Sequence, residues 1–173
     1  MSLEEVIPFL YVLALYPPAG TFLAVGAWML GPMDDTRELG VVQIFTGIWQ
    51  TISIILLFLA GDGFGAVTVL PLAFAWYGLG ITSILGFTHF KPIVNSTFIV
   101  LIIFYVIEAA YLFMKGQLLL PLMLLSYSIV VTMATLWVYK GILRKATAYV
   151  FLFEGIVTIF IPAVMLMYGI PWP

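Results

Sequence analysis

Six apolar stretches, each close to the roughly 20 residues that a helix needs to cross the hydrocarbon layer, fill this chain with only a few polar residues between them. They run from about Val6 to Leu30, Leu39 to Ala60, Ala66 to Phe87, Val94 to Met114, Leu118 to Tyr139 and Thr147 to Tyr168. With 173 residues, 64% of them apolar and 8% charged, the composition lies far from that of soluble domains. No room remains for a soluble catalytic domain. The expected fold class is an all-α integral membrane protein, one six-transmembrane-helix bundle spanning residues 1–173.

The breaks between stretches carry recognisable turn chemistry. Pro17 and Pro18 remove two backbone donors inside the first stretch and are expected to kink or restart that helix. Gly31 to Glu38 forms a polar turn with Asp35 or Thr36 as a cap for the next helix. Gly61-Asp62-Gly63-Phe64-Gly65 is expected to be a tight turn, since a phosphate cradle requires a preceding strand that is missing from this pattern. Thr88-His89-Phe90-Lys91-Pro92 ends the third crossing, and Pro92 biases Lys91 away from helix. Lys115-Gly116-Gln117 makes the next turn, and Pro171-Trp172-Pro173 suits a membrane interface.

Charge sets the orientation. Arg37, Lys91, Lys140, Arg144 and Lys145 all fall in breaks on one side of the bundle, whereas the other side holds Lys115. Positively charged loops stay in the cytoplasm, so both termini are expected outside, in agreement with an even number of crossings. Asn95-Ser96-Thr97 matches a glycosylation pattern, but this topology puts it on the cytoplasmic side, where the match is chance. Glu4 and Glu5 stand where a secretory leader would be basic, so a cleaved signal is not expected. A net charge of -2 gives no footing for nucleic acid. The absence of cysteine excludes disulfides and thiolate metal sites, and the single histidine, His89, cannot build a metal or proton-sensing cluster. His89 is expected in an interfacial role.

Two acidic residues, Glu108 and Glu154, fall inside long apolar stretches. A carboxyl group in the bilayer core costs several kcal/mol unless it faces a partner or a wet cavity, so these are the first candidates for function. Phe151, Thr158 and Pro162 share the helical face of Glu154. That face carries an aromatic ring and a hydroxyl, and is expected to line a pore; a helix-to-helix polar contact is the competing reading. Tyr105 and Leu112 share the face of Glu108, for which pathway and structural roles stay open. Thr46, Gln50 and Ser53 form one small polar stripe, and Ser128, Thr132 and Thr135 another. Such residues also glue membrane helices, as do Gly78 and Gly80. Their neutral character favours an uncharged permeant over an ion.

Three groups of residues carry a family resemblance. In the last stretch they are Lys145-Ala146-Thr147, Glu154-Gly155-Ile156 and Ile161-Pro162-Ala163. Near the start, Gly26, Leu30-Gly31, an acidic turn, Val42 and Phe45-Thr46-Gly47 follow in order, and Phe74 with Lys91-Pro92 comes between. Together these resemble the AmiS/UreI family of bacterial and archaeal urea and short-chain amide channels, over most of the chain beyond Pro18. Met1 to Leu15 stands as an apparent N-terminal extension.

The resemblance implies six-helix protomers in the cytoplasmic membrane, assembled as a homo-hexamer with a narrow pore in each subunit. It also implies a functional link to a cytoplasmic amidase or urease. It places Glu154 on the pore glutamate, and Phe74 and Tyr127 on aromatic constriction positions. Val131, Gly78 and Leu124 stand where the urea-channel branch carries large rings, so the narrowest part is expected to be wider, or lined by Trp49, Trp76 or Tyr77. Acid gating in one branch relies on extracellular histidines, and is not expected with His89 on the cytoplasmic side.

The expected function is a passive, selective channel for urea or small neutral amides, with no cofactor, no metal and no enzymatic activity. Two alternatives stand beside it. One is a proton-coupled small-solute transporter that uses Glu108 or Glu154. The other is a non-conducting membrane scaffold in which the polar stripes only pack.

Overall fold

The computed structural model describes residues 3–31, 36–85 and 91–170, so Asp35, His89 and Trp172 lie outside the described residues. Among the described residues six helices follow one another: α1 (Leu3–Leu30), α2 (Thr36–Leu59), α3 (Gly63–Leu85), α4 (Lys91–Met114), α5 (Leu119–Lys140) and α6 (Arg144–Met167). All six are long and apolar enough to cross a membrane, which makes this a multi-pass membrane protein.

Each helix packs on its neighbours in sequence, and α6 closes back on α1. The result is a ring of six helices. Its firmest seams are α2–α3, α1–α6 and α4–α5, and its loosest is α3–α4. Small residues set two of the firm seams. A Cβ on Gly40 would stand 2.7 Å from the Gly80 carbonyl oxygen, and a Cβ on Gly26 would stand 2.8 Å from that of Ala148. Backbones approach this closely only where no side chain intervenes.

The first crossing does not restart at the prolines: α1 runs as one helix through Pro8, Pro17 and Pro18. Pro17 and Pro18 have no N–H to donate to the carbonyls of Leu13 and Ala14, four residues earlier. The next helix repairs both gaps. Trp49 Nε1 donates to the Leu13 carbonyl at 2.9 Å, and Gln50 Nε2 donates to the Ala14 carbonyl at 3.3 Å. Adjacent donors on α2 thus meet adjacent orphaned acceptors on α1.

The segment expected to be an extension is built into the core. Leu10, Tyr11 and Ala14 are buried against Leu57, Ala66 and Val69, and the Tyr11 hydroxyl meets the Asp62 carboxylate. The glycine run around Asp62 is also only partly a turn. Gly61 takes a φ of +87°, but α3 already begins at Gly63, and Asp62 Oδ1 accepts the Gly65 N–H at 2.8 Å as its cap. At the opposite end of the bundle, Arg144 Nε donates to the Met29 carbonyl at 2.9 Å, satisfying an acceptor in the last turn of α1.

Candidate functional site

Inside the ring lie two small cavities, one after the other along the bundle. The first, about 30 Å³, is walled by Phe22 of α1, Trp76 and its α3 neighbours, Phe98 and Leu101 of α4, Val131 of α5 and Phe151 of α6. The second, about 10 Å³, lies toward the end where α2 meets α3, between Tyr11, Gln50, Thr68, Tyr105 and Leu124. Leu72 and Tyr127 belong to both walls and separate the two spaces. Between them the walls draw on all six helices.

Both cavities present mainly carbon. The first presents carbon throughout, with Phe22 as the hub of an aromatic cluster: its ring centroid lies 5.2 Å from Trp76, 5.5 Å from Tyr127 and 5.9 Å from Phe151. Offset and edge-on rings of this kind make a rigid apolar frame. The second is also carbon over nearly all of its surface, with the Gln50 amide and Thr68 at its border. Gln50 is 0% exposed, and its Oε1 has no hydrogen-bond partner among the described residues.

The carboxyl groups of Glu108 and Glu154 stand one side chain behind these walls. Glu154 lies ten residues after Arg144 and thirteen before Met167, near the middle of its span, and is 1% exposed. It lines neither cavity directly. Thr158 Oγ1 lies 3.2 Å from Glu154 Oε1 and 3.2 Å from the Tyr127 hydroxyl, and so links the carboxyl to the ring that divides the cavities. Its single proton serves one of these oxygens at a time. Ser126 also borders the Glu154 carboxyl. Glu108 sits six residues before the end of α4, where its Oε1 meets the hydroxyl of Thr68, a wall residue of the second cavity.

The remaining expected site residues divide sharply. Tyr127, Val131 and Leu124 lie on the cavity walls. Phe74 does not: it is 62% exposed, in a groove on the outer surface beside Leu70, Pro71 and Val100. The reason is helical geometry, since Leu72, Ala75, Trp76 and Leu79 take the inward face of α3 and leave Phe74 on the opposite side. Gly78, one turn on from Phe74, shares that outer face and has nothing within 4 Å of where its Cβ would be. Trp49 is committed to the Leu13 carbonyl between α1 and α2. Tyr77 lies between α2 and α3, its hydroxyl 3.0 Å from that of Thr51. Neither lines either of these two cavities. Of the alternatives to the missing rings, Trp76 is the one on the wall.

Phe22, Tyr11 and Leu72 are wall residues that carry no mark in the sequence beyond being apolar or aromatic. The polar stripes turn mostly to packing. Ser83 donates to Gln43 Oε1 at 2.9 Å, the Thr21 and Thr46 hydroxyls lie 2.5 Å apart, and Ser128, Thr132 and Thr135 each donate to a carbonyl one turn back. Gln50 is the exception, with one end used and the other not.

Comparison of the chain with protein-family models, with curated proteins and with solved structures gives no match.

Proposed function

We propose that this protein is a passive channel for urea or other small neutral amides, whose path runs through the centre of each protomer. One observation carries the reading: the closed ring of helices holds two successive cavities that meet at Tyr127 and Leu72. Planar amides have two weakly polar faces and hydrogen-bonding edges. The aromatic frame around Phe22 suits the faces, and the Gln50 amide at the second cavity suits an edge. An ion crossing the carbon-walled cavity would lose its hydration with nothing to replace it. The narrow resting spaces require Leu72 and Tyr127 to shift as a solute passes, which keeps binding weak, as flux demands. In this reading the basic ends of the bundle face the cytoplasm, both termini lie outside the cytoplasmic membrane, and the protomers form a homo-hexamer serving a cytoplasmic amidase or urease. The chain has no enzymatic role.

Stopped-flow swelling of proteoliposomes with urea, formamide, acetamide, propionamide and glycerol tests this. Protein-dependent entry is expected for the small amides and urea, equilibrating without accumulation. No solute-dependent entry for any of them would leave the scaffold reading. A proton-coupled carrier is favoured by carboxyl groups at two depths, Glu108 and Glu154; it predicts accumulation against a gradient that an uncoupler abolishes. In the same assay Phe74→Ala, on the outer face, is expected to leave permeability within about twofold of the parent, the range typical of surface changes. A loss beyond tenfold would return Phe74 to the pathway.

A further inference from the structure

The two ends of Gln50 have separate tasks. Nε2 satisfies the Ala14 carbonyl that Pro18 leaves without its helical donor, and this fixes which end of the amide is the oxygen. Oε1 is then an acceptor in a fully buried residue, on the wall of a cavity with space for about one water-sized centre, and with no partner among the described residues. Leaving a buried acceptor empty is costly, so an occupant that donates a hydrogen bond belongs there. Thr68, Tyr105 and Tyr127 share the same wall. They surround the occupant with further hydroxyl-bearing side chains and rings.

We infer that the cavity beside Gln50, water-sized at rest and widened as Leu72 and Tyr127 shift, is a selection site that engages one small neutral solute through an N–H donated to Gln50 Oε1. This rests on the channel reading and adds what that reading lacks, a residue that separates N–H-bearing solutes from others of the same size. Water, which also donates, occupies the site between passages.

Propionamide and N,N-dimethylformamide are isomers, of which only the first carries N–H donors, so their permeability ratio reads the donor requirement at constant composition. A plain Gln50 substitution would also orphan the Ala14 carbonyl. Pro18→Ala restores the backbone donor to that carbonyl, so the comparison is made between Pro18→Ala and Pro18→Ala/Gln50→Met in proteoliposomes, each corrected for protein-free vesicles. Wild type and Pro18→Ala are expected to favour propionamide by about tenfold, the worth of one well-made hydrogen bond. The double variant is expected to bring the ratio within about twofold of unity, with N,N-dimethylformamide entry retained. A ratio that survives in the double variant overturns the inference while leaving the channel standing. A ratio near unity already in wild type means the oxygen holds water only, and overturns it as well. Absence of protein-dependent entry of every solute in wild type overturns the channel reading and this inference with it.

Discussion

Glu154→Leu is expected to remove most of the amide permeability, by about tenfold or more, whereas Glu154→Gln retains a substantial part. The carboxyl does not touch the cavities; it acts through Thr158 on Tyr127, the ring shared by both. Leucine removes one of the two oxygens that share the Thr158 proton and leaves Thr158–Tyr127 as the remaining bond; losing a buried partner costs about 1–3 kcal/mol, or a factor of roughly 5 to 150. The Tyr127 hydroxyl keeps Thr158 but loses the carboxyl that holds Thr158 in place, so the ring is less firmly oriented. Glutamine keeps an acceptor oxygen in the same place. Stopped-flow swelling, normalised to incorporated protein, measures both variants. Tyr127→Phe sharpens the comparison: if Glu154 works through that hydroxyl, Glu154→Leu and Tyr127→Phe combined should lose far less than the product of their separate losses. Full additivity, or no loss in either Glu154 variant, would leave the carboxyl a packing contact between α5 and α6.

The spans were legible because their length and apolarity are set by the thickness of a membrane, and each observed helix starts and ends within three residues of the stretch read from sequence. Which face of each helix turns inward was far less legible. In water, a helix advertises its buried face by contrast with a polar one, but here lipid-facing and core-facing positions are equally apolar. Phe74 and Trp76 are both large rings on α3, two residues apart; one is on the outer surface and the other walls a cavity. Phe22, the hub of the cluster, stood among many aromatic residues with nothing to single it out. The repair of Pro17 and Pro18 by Trp49 and Gln50 was hidden for another reason, since it depends on the register of α1 against α2. The same register explains why the N-terminal segment packs into the core. Polarity within a span was the readable signal. It pointed to Glu154 and Glu108, both close to the cavities, although it did not show that the carboxyls stand behind the wall, and it left Gln50 as one member of a polar stripe.

The firmest seam of the ring yields the largest stability effect. Gly78 and Gly80 sit two residues apart on α3, and both suit close packing by composition. Only Gly80 faces α2. A Cβ there would stand 2.8 Å from the Gly40 carbonyl oxygen and 3.0 Å from the Ile44 backbone nitrogen, whereas a Cβ on Gly78 meets nothing within 4 Å. A clash with the far end of a side chain is relieved by a rotamer change, but a clash with backbone moves the whole helix. Gly80→Val is therefore expected to push α2 and α3 apart and cost about 3 kcal/mol or more, the upper part of the range for overpacking. For a chain of this length that lowers the melting temperature by roughly 6 to 12 °C. Gly78→Val makes the same chemical change on the same helix, with the same effect on backbone entropy, and is expected to leave the melting temperature within about 2 °C of the parent, as substitutions without new contacts do. Thermal unfolding of the two purified variants in one detergent, followed by loss of helical circular dichroism, gives the comparison directly. Equal losses would mean that α3 packs on α2 by some other face; a loss confined to Gly80→Val fixes the rotation of α3, and with it the placement of Trp76 inside the ring and Phe74 outside.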